Sequence, residues 1–210
     1  MSTKAIIFDY DGVMTASAER VQQYAAAAET LGLTTDELYQ RLWESEYWQQ
    51  VKRGHISDSD FWRGMLPAFG LEADDWPTGP LAFLVQETLD PMMVGLVQRL
   101  RGRYQLALLS NATPAYETRW RNFGLYDLFE VIINSAAVGL AKPDPEIYHL
   151  CLERLGRQPG ECLFIDDKPR NTVAAEALGI PSLVFTTPTD LEAELVRMGI
   201  LEQSSVPRSQ

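Results

Sequence analysis

IIFDYDGVMT, residues 6–15, runs from an apolar stretch into two aspartates one residue apart and then a glycine. The run that begins at Ala5 is short and continuously apolar, which is how a strand covered on both faces reads. Side chains at i and i+2 of a regular strand share a face. Gly12 lets the chain turn sharply just beyond them, so Asp9 and Asp11 are brought to one place with different reach. Two like charges at the end of a buried strand require something to offset them.

Working outward, four more short apolar runs predict strands at 105–109, 131–133, 162–165 and 182–185. Helical patterns separate them at 91–101, 114–123, 145–155, 168–178 and 191–198. Pro91, Pro114 and Pro145 stand where a first helical turn tolerates proline, and Gly124, Gly156 and Gly179 stand where helices stop. Strand and helix in alternation predict an α/β fold, a doubly wound, Rossmann-like parallel sheet covered by helices. Residues 15–88 break the rhythm, with helical patterns at 16–31, 35–48, 58–69 and 81–88 and no strand. The expected organisation is therefore a core of residues 1–14 and 89–210 with an all-helical cap inserted at 15–88, and a flexible polar tail at 203–210. The cap holds Trp43, Trp48, Trp62 and Trp76 of the five tryptophans. Large rings filling a small core is the simpler reading of them, and one facing a substrate is the alternative.

Composition removes several function classes. At 210 residues, 46% hydrophobic and 22% charged, the chain is an ordinary globular sequence. No stretch reaches the roughly 20 apolar residues of a membrane span, and the N-terminus meets Asp9 too early for a secretory signal, so a cytoplasmic protein is expected. A net charge of −11 disfavours nucleic acid and anionic membrane as partners, because both are bound by basic residues neutralising phosphates. A small anionic substrate stays open, since one metal ion and one lysine can invert the potential locally. His55 and His149 are far apart in sequence, which disfavours a multi-histidine zinc site. Cys151 and Cys162 lie in apolar stretches and read as reduced core residues.

In an open parallel sheet, ligands bind beyond the carboxyl ends of the strands. Asp9 and Asp11 follow the first run, Ser110 and Asn111 the second, and Lys142 stands in the loop after the third. Asp166, Asp167 and Lys168 follow the fourth, with Asn171 close behind. Taken alone, each group has an ordinary explanation as a turn or a cap. Together they place carboxylates, a hydroxyl, amides and a lysine on one rim. Carboxylates converging without histidine or cysteine make a hard oxygen site suited to Mg²⁺, which would also offset the repulsion between aspartates. One carboxylate can then attack an electrophile while the other handles a proton. The lysine, the hydroxyl and backbone amides at a helix start suit the oxygens of a phosphoryl group.

In order and spacing, DYDGVMT, LLSN, the lysine of GLAKPDP and IDDKPRN resemble the four motifs of the haloacid dehalogenase-like hydrolase superfamily, composed mostly of phosphatases. The resemblance covers nearly the whole chain. It is nearest the subgroup with a helical cap after the first motif. RGHISDSDFW and KPDPEIYHLCLERLG are similar to small sugar-phosphate phosphatases and to the phosphatase domain of bifunctional epoxide hydrolases. The resemblance implies that Asp9 is the nucleophile forming an aspartyl-phosphate, and that Asp11 protonates the leaving alkoxide and then activates water. It implies Mg²⁺ ligation by the Asp9 carboxylate, the Asp11 backbone carbonyl and Asp167, with Asp166 a direct or water-mediated partner. Ser110, Asn111 and Lys142 would hold the phosphoryl oxygens, with Gly12 and Asn171 in support. Lys168 is an added charge beside the acidic motif.

The resemblance also separates competing activities. The founding dehalogenases lack the second aspartate, so Asp11 argues against dehalogenation. Phosphosugar mutases carry a histidine ten residues beyond that aspartate, where this chain has Val21. An idle binding module would have lost Asp9, Asp11 or Lys142, and all three are present. The expectation is hydrolysis of a small phosphorylated metabolite, such as a sugar phosphate, by a monomer or homodimer. Arg20, Lys52, Arg53 and His55 are the cap's candidates to meet a second polar group of the substrate.

Overall fold

The computed structural model describes residues 2–15, 18–72, 79–85 and 87–202. Ala16, at the expected start of the first cap helix, Trp76 and the tail at 203–210 lie outside the described residues. Five strands form one parallel sheet in the order β3-β2-β1-β4-β5: β1 (Ala5–Phe8), β2 (Gln105–Ser110), β3 (Val131–Asn134), β4 (Cys162–Asp166) and β5 (Ser182–Val184). The doubly wound parallel sheet expected from the alternation is present.

Both faces of β1 are covered, as its unbroken apolar run requires. Ile6 and Phe8 enter one core with Met93, Val97, Trp120 and Leu195, from α5 (Pro91–Leu100), α6 (Tyr116–Asn122) and α11 (Pro188–Arg197). Ala5 and Ile7 enter the other with Ile147, Tyr148 and Ala175, from α9 (Pro145–Leu155) and α10 (Pro169–Ala177). Burying each large apolar side chain is worth roughly 1.5–3 kcal/mol, so a one-residue slip that exchanged the faces would unseat both cores. The observed register pairs Phe8 with Leu108 on one side and with Ile165 on the other. Asp9, Ser110 and Asp166 consequently reach the same edge of the sheet.

α7 (Leu125–Leu128) and α8 (Ser135–Val138) are single turns flanking β3. The remaining helices gather apart from the sheet: α1 (Ala18–Thr30), α2 (Thr35–Trp43), α3 (Glu46–Val51) and α4 (Asp58–Met65), then a 3-10 turn over Leu66–Phe69. They surround their own apolar cluster, which includes Leu38, Leu42, Val51, Phe61 and Met65. The single helix expected at 35–48 is two. Ser45 ends the first by donating to Leu42 O at 3.0 Å and starts the second by accepting from Trp48 N at 3.0 Å, and a serine at an N-cap satisfies a backbone N–H that a helix leaves unpaired. The helix expected at 81–88 is a 3-10 turn, Ala82–Val85. α11 begins three residues before its expected start, because Thr187 Oγ1 caps it by accepting from Asp190 N at 3.1 Å. α6 starts at Tyr116, after Pro114, where Ala115 N donates to Asp58 at 3.0 Å.

The helical lobe touches the sheet side through a few polar contacts. Asp58 accepts from Ala115 N and from the Thr113 hydroxyl, and Arg53 Nη2 lies 2.7 Å from Asp144 Oδ2. Gly54, at φ +69°, passes so close that a Cβ there would sit 2.3 Å from Ala136 O. Only glycine takes both that conformation and that approach.

Candidate active site

The site is assembled where β1, β2 and β4 end. Asp9 extends the ladder by donating its N–H to Ile165 O at 2.8 Å, and its carboxylate is almost wholly buried. Lys142 Nζ bridges Asp9 Oδ1 at 2.8 Å and Asp166 Oδ2 at 2.6 Å. The lysine is 2% exposed, and its backbone is clamped by the Asn111 side chain, which donates to Lys142 O and accepts from Lys142 N, both at 2.8 Å. Asn111 therefore serves first as the strut that fixes Lys142. This explains why an amide belongs at the end of β2.

The doubled aspartate after β4 divides into two environments. Asp166 accepts from Lys142 Nζ, from Lys168 N at 2.8 Å, and from Asn171 Nδ2 at 2.9 and 3.0 Å. Asp167, by contrast, has a buried Oδ1 with no partner. Gly12 packs against this side chain, and a Cβ at Gly12 would stand 2.5 Å from Asp167 Oδ2, at φ +82°. Asp9, Asp166 and Asp167 each offer a carboxylate oxygen, all within 4.8 Å of one another. A buried carboxylate oxygen without a donor is costly unless something supplies positive charge. A divalent cation with oxygen ligands fits this position.

Ser110, on the opposite side of Asp9, is buried with its Oγ also unpartnered, and Asn171 Oδ1 is in the same condition. The Asp11 carboxylate turns toward the lobe, where Arg20 Nη2 donates to Oδ1 at 2.9 Å and Thr15 Oγ1 lies at 3.4 Å. Arg20 also approaches Glu87, a buried carboxylate reached by Tyr10 OH at 3.1 Å and by Arg119 at 3.6 Å.

Charge settles unevenly over these groups. Burial first, then the nearby Asp166 charge, pushes the Asp9 carboxyl up to about 8 against the pull of Lys142. Burial likewise raises Asp167, to about 6. For Asp166 burial also opposes ionisation, but Lys142 and the surrounding donors hold it below its ordinary value. Burial acts the same way on Asp11 and is overcome by Arg20 and then Lys168. Lys142 and Lys168 are both raised: burial works against their charge and the aspartates outweigh it. The cluster is short of positive charge on the side of Asp9 and Asp167.

Of the cap residues singled out in the sequence, Arg20 meets Asp11, while Arg53 is taken up by Asp144 and His55 is exposed. Lys52 is buried, and burial, then the neighbouring Arg53 and Arg170, pulls its ammonium down to about 8. None of the four lines the cavity over Asp9 among the described residues. Lobe residues that do line it are Tyr39, Trp43 and Trp48. Trp43 and Trp48 thus serve partly as core and partly as cavity wall. Tyr39 was not singled out, although its spacing of four from Trp43 on one helix was a readable sign. Glu87 carried no sign, because its burial depends on contacts from distant segments.

The chain matches the haloacid dehalogenase-like hydrolase family over residues 3–179. A sesquiterpene phosphatase of Aspergillus oryzae is 31% identical over 150 residues, 68% of this chain and 74% of that protein. The plasmid-encoded protein CbbY of Cupriavidus necator is 27% identical, over 91% of this chain and 80% of its own length. Two further relatives are much longer, the chain spanning 19% and 30% of them. A family enzyme from Bacteroides thetaiotaomicron, whose structure is a complex with magnesium and inorganic phosphate, shares the fold. The TM-score is 0.66 at 22% identity, over 88% of this chain and 95% of that one.

Proposed function

The chain belongs to the haloacid dehalogenase-like hydrolases, and from that premise we propose that it is a Mg²⁺-dependent phosphatase, hydrolysing a small phosphomonoester through an aspartyl-phosphate on Asp9. The observation that carries the proposal is the pair of orphaned oxygens flanking Asp9. Asp167 Oδ1 on one side and Ser110 Oγ on the other are buried without a hydrogen-bond partner. Mg²⁺ beside Asp167 and a phosphoryl group beside Ser110 would satisfy both.

The roles of the residues follow. Asp9, Asp167 and the Asp11 backbone carbonyl would hold the ion, with Asp166, saturated by Lys142 and Asn171, in support. Mg²⁺ when bound supplies charge that keeps Asp9 ionised and draws electron density from phosphorus. Lys142 and Ser110 hold phosphoryl oxygens. An Asp9 oxygen attacks phosphorus, the P–O bond to the leaving group breaks, and the departing alkoxide takes a proton from Asp11. Asp11 then accepts a proton from water, whose oxygen attacks the aspartyl-phosphate and frees Asp9 and inorganic phosphate. In the free protein Asp11 is an ionised partner of Arg20. A phosphate dianion arriving beside it raises its proton affinity by like-charge repulsion, which equips it as an acid.

We propose further that residues 15–88 act as a cap over the core formed by 1–14 and 89–210, excluding water during the reaction. The separate apolar cluster of the lobe and its few polar contacts to the sheet side support this. The substrate would be a soluble cytoplasmic metabolite. No described helix is long and apolar enough to cross a membrane. The test is turnover of p-nitrophenyl phosphate, expected with Mg²⁺ and expected to vanish with EDTA and in Asp9→Asn. A folded protein inert with Mg²⁺ toward a broad panel of phosphoesters overturns the proposal.

A further inference from the structure

Glu87 lies in the segment that carries the chain from the lobe back to the sheet, and the reaction steps described above make no use of it. Its side chain is wholly enclosed, yet two guanidinium groups and two hydroxyls converge on it. Tyr10 OH donates to Oε1 at 3.1 Å, Tyr116 OH lies 3.5 Å from Oε2, and Arg119 and Arg20 come within 3.6 and 3.9 Å. A buried carboxylate is tolerated only where partners of this kind hold it. Tyr10 is itself locked, edge to face with Tyr116 and Trp120 at centroid distances of 5.7 and 5.4 Å.

Two of these partners lead to the reacting end of β1. Tyr10 stands between Asp9 and Asp11, so the bond from its hydroxyl anchors the strip of backbone that bears both carboxylates. Arg20 stands on α1, where the chain has just entered the lobe, and donates Nη2 to Asp11 Oδ1 at 2.9 Å. The two crossings between sheet and lobe are themselves joined, Asp90 N donating to Met14 O at 2.8 Å. An arginine side chain has about 2 kcal/mol of rotamer freedom to lose. Bound only to an aspartate at a turn, it would swing together with that aspartate, whereas an immobile anion on the other side of the guanidinium fixes both. Arg20 and Thr15 both take Asp11 Oδ1, which leaves Oδ2 to carry the proton.

We infer that Glu87 is a positioning residue for the proton-transfer step, aiming the Asp11 carboxylate through Arg20. The inference rests on the phosphatase reading and deepens it. At pH 8, above the value of about 7 to which burial and then the Asp11 charge push Glu87, its carboxylate is ionised, and Glu87→Gln removes the charge while keeping the shape. With Mg²⁺, kcat for phenethyl phosphate, whose leaving alkoxide needs a proton, is expected to fall about 10-fold, with KM little changed and a smaller loss on p-nitrophenyl phosphate. In the Asp11→Asn background the same substitution is expected to bring no further loss on phenethyl phosphate, because the group being aimed is gone. Arg20→Gln is expected to show both patterns and carries the test should Glu87→Gln not fold. An equal loss on both esters, or a full additional loss in the Asp11→Asn background, overturns the inference and leaves the phosphatase reading standing. No turnover of either ester by the unaltered protein overturns both.

Discussion

The strand-end rim and the helical lobe face each other across one cavity and are built on opposite principles. On the rim, three polar side chains are held by named partners: Lys142 by two carboxylates, Asp166 by the lysine, a backbone N–H and an amide, and Asn111 by the backbone of Lys142. The lobe turns rings toward the same space, and they pack mostly on one another. A rigid polar constellation suits chemistry common to many esters, because a misplaced charge there costs rate. A wall of rings suits discrimination among bodies, because it repacks without breaking directional bonds. Substitutions on the rim should therefore act on every substrate alike, except where the leaving group itself is addressed.

The largest effect should come from Asp9→Asn, with kcat lowered on the order of 10⁴-fold or more on any phosphoester. Its thermal stability in the absence of metal should match or exceed that of the unaltered protein, since a buried carboxyl with a raised pKa becomes a neutral amide. A loss of folding in that variant would break the claim that the rim holds Asp9 at a cost.

Lys142→Met comes next. It strands Asp166, and with it Asp9, as buried carboxylates without their cation, and urea denaturation should show a loss of about 3–5 kcal/mol. Asp11→Asn should reduce turnover of an alkyl phosphate by about 10²- to 10⁴-fold while harming p-nitrophenyl phosphate far less, because nitrophenolate leaves without protonation. Equal losses on both would remove Asp11 from the acid role.

The pH dependence of stability should follow the same division. Asp9 and Asp167 have folded-state pKa values raised to about 8 and about 6, above the ordinary 3.8. Each is bound to its proton more tightly in the folded state. Their contribution is complete below pH ~4 and is lost as pH rises through 6 and then 8 in metal-free protein. Asp11 and Asp166 are lowered and act oppositely, losing their contribution as pH falls below ~4. Melting temperature against pH, with and without Mg²⁺, checks this: the added ion should remove the decline between pH 5 and 8. The smallest effect belongs to the lobe's contact with the sheet side. Arg53→Ala breaks a partly exposed ion pair with Asp144 and should cost less than about 1 kcal/mol.

Much of the rim was legible in advance. Asp9, Ser110 and Asp166 stand at the ends of apolar runs, and parallel strands in register bring such ends to one edge. Strand bounds followed the apolar runs to within a residue or so. The lobe was less legible. Apolar and aromatic spacing runs without interruption through 35–48, and only the Ser45 hydroxyl, bonded both ways, divides it. Arg20, Lys52, Arg53 and His55 carried the right charge for a substrate contact, yet the cavity is walled by Tyr39, Trp43 and Trp48.

From sequence alone came the sheet order's ingredients and the carboxylates that stand at its strand ends, because hydrophobic period and the spacing of polar groups after each strand are local quantities. Tertiary structure alone gave the two neighbouring aspartates different environments. Asp166 is saturated by Lys142 and Asn171, and Asp167 is left with an orphaned buried oxygen beside Gly12. It also decided that the lobe's rings face the cavity over Asp9. Donor count and burial depend on which distant segments arrive at a residue, and no run of neighbouring letters encodes that arrival.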